Sequence, residues 1–379
     1  MHHRFRVLGS LVELTGPEEA IAPIAATYAR FAVEPVTGEI PARTVALDPE
    51  AGEITSGSVR VPLLPDLPPT LQAYQQFLLA ILDQVARYTI LHAAAVETPG
   101  GEGVVIAGPS GHGKSSLTQE LVRRGCRFLS DDYAPVDTAR STVTPYLRTI
   151  GIEAGGSAPV PPPIREAADS GSYPVLLGKA QIDPAVIRGE DGVALQPVPL
   201  RHVLLLTSNQ VSSKELQAWD RRTDIHVACD ARHRERLEVT FLETPGVTIR
   251  SGSLQPGGSC FVWQLTLDAN LHPAGPLAPV LEDPAMVLVE KVWGDPPRFD
   301  AAPTSAAVPL RVAAAILTGE VMNRRQGGAL MERYGGDNTL LFLDIAGALK
   351  GVRCHHVQVG RFDETAARIG SLIGLTDVV

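Results

Sequence analysis

Residues 103–125 read GVVIAGPSGHGKSSLTQELVRRG. The apolar run Gly103–Ala107 has the length and composition of a buried strand, and Ser116–Arg124 has helical spacing closed by Gly125. Between them, Gly108-Pro109-Ser110-Gly111-His112-Gly113-Lys114-Ser115 matches the pattern G-x-x-x-x-G-K-[ST], in the strand-to-helix context that pattern requires. Glycines at these places let the backbone curl until successive N–H groups face one concavity. The helix that follows adds the positive end of its dipole, and the two together suit phosphate oxygens. Lys114 is expected to reach the β- and γ-phosphates and the Ser115 hydroxyl to ligate Mg²⁺. Residues 108–116, with His112 in a position the pattern leaves free and Ser116 opening the helix, form the expected nucleotide-binding set.

Upstream, Thr89–Glu97 (TILHAAAVE) reads as a second strand, joined to Gly103–Ala107 through the turn Pro99-Gly100-Gly101. A hairpin entering the glycine loop implies a mixed sheet rather than a doubly wound parallel one. Before it, Tyr74, Phe77, Leu78, Ile81, Leu82 and Val85 form the stripe of an amphipathic helix over 71–88. The opening residues suggest a strand over Phe5–Leu14, a helix over Pro17–Phe31 and strands near Thr44–Leu47 and Ser58–Leu63. The expected organisation is a small N-terminal α+β lobe over 1–86 and a nucleotide-binding domain over 87–379.

Downstream, Cys126–Leu129 is expected to be a short strand, and Ala154–Pro163 (AGGSAPVPPP) and Gly294–Ser305 loops. Strands are expected at His202–Thr207, Leu237–Leu242, Phe261–Leu267 and Leu340–Asp344. Helices are expected over Ala306–Asn323 and Ala366–Ile373.

A net charge of −9 repels nucleic acid and anionic membrane surfaces, so neither is an expected partner. Cys126, Cys229, Cys260 and Cys354 are widely spaced and lack metal-ligand intervals, which reads as buried thiols in a reducing compartment. The longest apolar runs are too short to cross a bilayer, and a cytoplasmic location is expected. The clusters Arg221-Arg222 and Arg232–Arg236 read as a solvated face.

A triphosphate site needs an acidic residue near the metal, often an aspartate ending an apolar strand. Asp131-Asp132 after Phe128-Leu129-Ser130, Asp344 after Leu340–Leu343, and Asp268 after Leu265 all qualify by pattern. A lone histidine in an apolar strand, such as His92, is more often a hydrogen-bonded core residue than a catalytic one.

Leu91-His92-Ala93, then GPSGHGKSS, then Arg124-Gly125 and Ser130-Asp131-Asp132, together resemble the core of the HPr kinase/phosphorylase-like family. The resemblance spans roughly residues 92–132. It implies an α/β fold with a phosphoenolpyruvate-carboxykinase-like P-loop core on a mixed, curved sheet, and ATP and Mg²⁺ as cofactors. It implies that His92 sits near the transferred phosphate, Asp131 acts on the acceptor hydroxyl proton and Asp132 is associated with the metal. Pro145-Tyr-Leu-Arg148 resembles a Pro-x-x-Arg segment of smaller relatives, which makes Arg148 a candidate for steadying the γ-phosphate. The family's downstream signature around a Glu and an Arg is not found, so HPr is not the implied acceptor.

The function expected from these readings is transfer of the γ-phosphate of ATP to a hydroxyl, a serine above all, on a protein, peptide or small molecule. A nucleotide-binding regulatory module that has lost transfer, and a phosphate-dependent phosphorylase, are the alternatives. The resemblance further implies homo-oligomers.

Overall fold

In a computed structural model the described residues are 1–35, 40–109, 111–207, 222–255, 258–268, 286–292, 299–325 and 327–375. They form a mixed α/β structure with four sheets and, among the described residues, nine α-helices. The chain divides into two units. One comprises Met1–Ala86, Asp220–Gly294 and Asn323–Asn338; the other comprises Arg87–Trp219, Asp295–Met322 and Thr339–Val379.

In the first unit, β1 (His2–Val7) and β2 (Ser10–Thr15) make a hairpin where a single strand was expected over Phe5–Leu14. The break is at Leu8-Gly9, both in the left-handed region (φ 51° and 90°), a conformation glycine adopts without strain. After α1 (Glu18–Thr27), β3 (Arg43–Asp48), β4 (Glu53–Ser56) and β5 (Val59–Pro62) complete a five-stranded sheet in chain order. The helix α2 (Pro69–Gln84) belongs to this unit, and its Phe77 ring lies 5.3 Å from Phe5 and 5.1 Å from Tyr28, edge to face.

The same unit holds a second, antiparallel sheet. Its strands run in the order β16 (Val247–Leu254), β17 (Cys260–Asp268), β15 (Arg222–Asp230), β18 (Met286–Val292). Leu237–Leu242, expected as a strand, lies instead within α5 (Arg234–Glu243). Leu237 and Phe241, four apart, are buried while Val239 and Leu242 are exposed, so the apolar period is that of a helix.

In the second unit, β6 (Thr89–Glu97) and β7 (Gly103–Ala107) form the expected hairpin, antiparallel with Ala93 opposite Ala107. The strands β8 (Arg127–Ser130) and β9 (Tyr133–Asp137) pair in succession with the other edge of β6. On the far side, β14 (Val198–Thr207) lies parallel to β7, β20 (Arg353–Gln358) parallel to β14, and β19 (Thr304–Ala307) antiparallel to β20. The short β10 (Thr142–Val143) pairs with both β9 and β14, which bends this mixed sheet back on itself.

One face of the sheet buries Val104, Ile106, Leu204 and Leu206 against Leu117, Leu121 and Val122 of α3 (Lys114–Arg123) and Ala366 and Ile369 of α9 (Phe362–Leu372). On the other face, Leu91, Val105 and Val203 meet Leu317 of α6 (Leu310–Gly319) and Ile345 and Ala348 of α8 (Asn338–Ala348). A small three-stranded sheet, β11 (Ile150–Ile152), β13 (Lys179–Ile182) and β12 (Val175–Leu176), carries α4 (Pro162–Asp169), which starts where the expected 154–163 loop ends. Residues 294–298 of the other expected loop lie outside the described residues.

Two expectations fail here for local reasons. Leu340–Asp344 is part of α8, not a strand: Leu341, Ile345 and Ala348 are buried at intervals of four and three, while Leu340 and Leu343 are exposed. The helix expected over Ala306–Asn323 is confined to Leu310–Gly319, because Pro309 opens it and Ala306-Ala307 already pair with β20. The four cysteines are buried thiols, as expected.

The α8 assignment separates two neighbours that a strand would put on one face. Leu341→Ala is expected to lower unfolding stability by about 2–5 kcal/mol and Leu343→Ala by less than about 0.5 kcal/mol. Urea denaturation of the two variants checks this; equal effects would contradict the helix.

Candidate active site

Strand register decides which residues meet. Because Ala93 is the last β6 residue opposite β7, His92 stands where β7 leaves the sheet as the glycine loop. On the other edge of β6, His92 is opposite Tyr133 and Ala95 opposite Ser130, so the intervening turn brings Asp131 and Asp132 alongside. The Ser130 hydroxyl clamps that turn, accepting from the Tyr133 N–H at 3.2 Å and donating to the Tyr133 carbonyl.

The loop needs glycine at two places for different reasons. A Cβ on Gly108 would lie 2.8 Å from Leu206 Cβ and 2.9 Å from the Leu206 carbonyl oxygen, inside contact distance of β14. Gly113 has φ 83° and caps α3 in the left-handed conformation. His112 is buried within the loop, its N–H donating to the Pro109 carbonyl at 3.4 Å. Ser116 is buried at the start of α3, and Ser110 lies outside the described residues.

Lys114 is buried, and its ammonium donates to the carbonyls of Gly108 at 2.7 Å and Pro109 at 3.3 Å. Burial pushes its pKa below the usual lysine range, against the pull of the Asp132, Glu320 and Asp131 carboxylates. Asp131 is the counterpart. Burial, reinforced by the charge of Asp132, raises its pKa to about 6, although the Ser115 hydroxyl donates to it and Arg148 and Lys114 favour its charged form. Its Oδ1 is buried with no hydrogen-bond partner among the described residues. A carboxylate held this way has unused acceptor capacity.

Asp132 pairs with Arg148 Nη2, and the Arg148 guanidinium also lies 4.9 Å from the centre of the Tyr133 ring. Arg148 reaches the site because the strap before it is pinned: the Thr144 N–H donates to Pro135 O at 2.9 Å and the Tyr146 N–H to Leu129 O at 2.8 Å. His92 has Glu320 beside it, with Nδ1 3.7 Å from Glu320 Oε2.

His92, Lys114, Ser115, Asp131, Asp132 and Arg148 therefore converge. The other acidic candidates do not join them. Asp344 lies on α8 and accepts from Thr138 Oγ1 at 2.6 Å, and Asp268 ends β17 in the first unit. Arg232 pairs with Asp230 and Arg234 with Glu238, both at exposed positions, in keeping with a solvated face; Arg221 lies outside the described residues. Glu320 escaped sequence reasoning because it sat inside a helical pattern, whereas the helix stops at Gly319 and the next residues run beside β6.

No family model matches the chain, and no curated protein matches it. Among solved structures, the Hpr(Ser) kinase/phosphatase from Coxiella burnetii is similar over 32% of this chain and 67% of its own, with 20% identity and a TM-score of 0.21. A likeness of that size carries no argument about fold or chemistry, so the functional reading rests on the geometry of the site. Among the described residues, no helix is long and apolar enough to cross a membrane.

The raised Asp131 pKa has a stability consequence. The folded state holds the proton more tightly than the unfolded chain, whose value is near 3.8, so this favourable contribution is complete below pH 3.8 and is lost as pH rises through about 6. At pH 7–8 the ionised carboxylate is a net cost. Asp131→Asn is expected to be more stable than wild type there, by on the order of 2 kcal/mol, with the difference shrinking towards pH 4. Thermal unfolding across that pH range is the measurement.

Proposed function

We propose that this chain is an ATP-dependent phosphotransferase that passes the γ-phosphoryl group to a hydroxyl of a protein, peptide or small molecule, with serine the expected group. The observation that carries the proposal is the buried Asp131 carboxylate, with an oxygen lacking a partner among the described residues, beside Ser115 and Lys114 of a glycine loop. A phosphate-holding loop alone needs the lysine and the backbone N–H groups. It does not need the buried Asp131 carboxylate, whose burial costs free energy, and groups held at such a cost concentrate where chemistry is done.

In this reading the loop amides and Lys114 hold the β- and γ-phosphates, and Lys114 exchanges its bonds to the Gly108 and Pro109 carbonyls for phosphate oxygens. Asp131 accepts the proton of the acceptor hydroxyl as that oxygen bonds to the γ-phosphorus and the bond to the ADP oxygen breaks. Arg148, already held against Asp132 and Tyr133, is within the same cluster to offset charge on the moving phosphoryl group. Ser115 Oγ and the Asp132 carboxylate are hard oxygen donors of the kind magnesium takes, and Mg²⁺ needs only one or two protein ligands in such sites. When bound, the ion supplies positive charge against the phosphate oxygens. The net charge of −9 repels nucleic acid and anionic membranes, so neither is part of this reading.

Calorimetric titration with Mg-ATP and assay of slow background hydrolysis test the proposal. Lys114→Ala is expected to weaken binding tenfold or more. Asp131→Asn is expected to bind within about twofold of wild type and to hydrolyse at least about 100-fold more slowly. If Asp131→Asn hydrolysed like wild type, Asp131 would not be the base. Binding without transfer to any co-purifying hydroxyl acceptor would favour a regulatory nucleotide-binding module.

A further inference from the structure

The edge of β6 that faces β7 changes partner at the active site. Residues 93–97 pair with β7. Beyond Ala93, β7 has turned away into the glycine loop, and its place is taken by Glu320–Met322. The His92 N–H donates to the Glu320 carbonyl at 2.7 Å, the Met322 N–H donates to the Ile90 carbonyl at 2.7 Å, and Leu91 bridges Val321. The β9 strand already occupies the other edge over 89–92, so this is the only edge left to these residues.

The consequence for Glu320 is that its backbone is hydrogen-bonded to the same residue its side chain approaches. Its carboxylate lies 3.7 Å from His92 Nδ1, with only 17% of the side chain exposed against 15% for His92. Its charge also bears on Lys114, alongside the charges of Asp131 and Asp132. A carboxylate beside one ring nitrogen of a histidine orients the ring and turns the other nitrogen away from it. Val321, the bridged residue, supplies the apolar packing, and the backbone bonds of residue 320 do not depend on its side chain.

We propose that Glu320 is a positioning residue of the phosphotransfer site, holding the His92 ring for the reaction. The proposal rests on the function proposed above. It assigns Glu320 a role in turnover and none in contacting nucleotide: Glu320 acts through His92, and the loop amides and lysine that grip phosphate remain in place without it.

Three measurements on Glu320→Gln and Glu320→Asp, with wild type alongside, test this. For Glu320→Gln, kcat for background ATP hydrolysis is expected to fall tenfold or more while KM and the calorimetric Kd for Mg-ATP stay within about twofold. Glu320→Asp, which keeps the charge, is expected to recover part of the loss. The His92 ring signals in the nucleotide-free protein, assigned by their disappearance in His92→Ala, are expected to shift in Glu320→Gln and to move less in Glu320→Asp. Wild-type hydrolysis with unchanged kcat in Glu320→Gln would overturn the positioning role and leave the phosphotransferase reading standing. Wild type that neither binds nor hydrolyses Mg-ATP would overturn both. A parallel loss of kcat, Mg-ATP affinity and melting temperature in both variants would make Glu320 structural and overturn the proposal.

Discussion

An ammonium taken out of water must be compensated, and the second unit is organised around that constraint at Lys114. The lysine is buried at the start of α3, with two loop carbonyls as its hydrogen-bond acceptors and three carboxylates, from Asp132, Glu320 and Asp131, acting on its charge. Those carboxylates come from two separate stretches of chain, and both are delivered by β6. One edge of that strand carries the turn after β8, and the other carries Glu320–Met322. Without the sheet's register the charges would be buried separately, at a cost of several kcal/mol each.

The same crowding explains why the two aspartates differ. Asp132 is partly exposed and paired with Arg148, while Asp131 is enclosed and has a neighbouring negative charge, which drives it towards the neutral form. Two adjacent residues of one type thus have different surroundings. Such a contrast suits a division of labour between paired acids, one group for charge and one for protons. Enclosing Asp131 in this way sacrifices some folding stability for a group able to take up a proton near neutral pH.

Packing by itself dictates part of the glycine loop. Gly108 has no room for a side chain because Leu206 of the parallel strand β14 lies against it. The neighbouring strand therefore demands glycine at the first position of the motif. The sheet's mixed character follows from the hairpin of β6 and β7, and β10 joins β9 to β14 beside the Gly103 end of β7.

Local signals determined a good deal by themselves. The hairpin, the glycine loop, α3 and the order of His92, Lys114, Asp131 and Asp132 are all readable from residues 89–132, because they depend on turn chemistry, apolar runs and one motif within a short stretch. Arg148 was found through likeness of a short segment. What the sequence could not decide is what depends on distant partners. Leu237–Leu242 and Leu340–Asp344 are apolar runs whose period is ambiguous until one knows which residues face a core, and both are helices. Asp268 and Asp344 match the pattern of a metal-side aspartate as well as Asp132 does, and only the fold separates them. Glu320 depends most on tertiary structure. It lies more than two hundred residues from His92 in the chain, in a stretch that looks helical, and is brought to the site because β6 has an edge of unpaired backbone groups where β7 departs. Burying that edge without a partner would cost free energy, so the chain that satisfies it also brings the carboxylate.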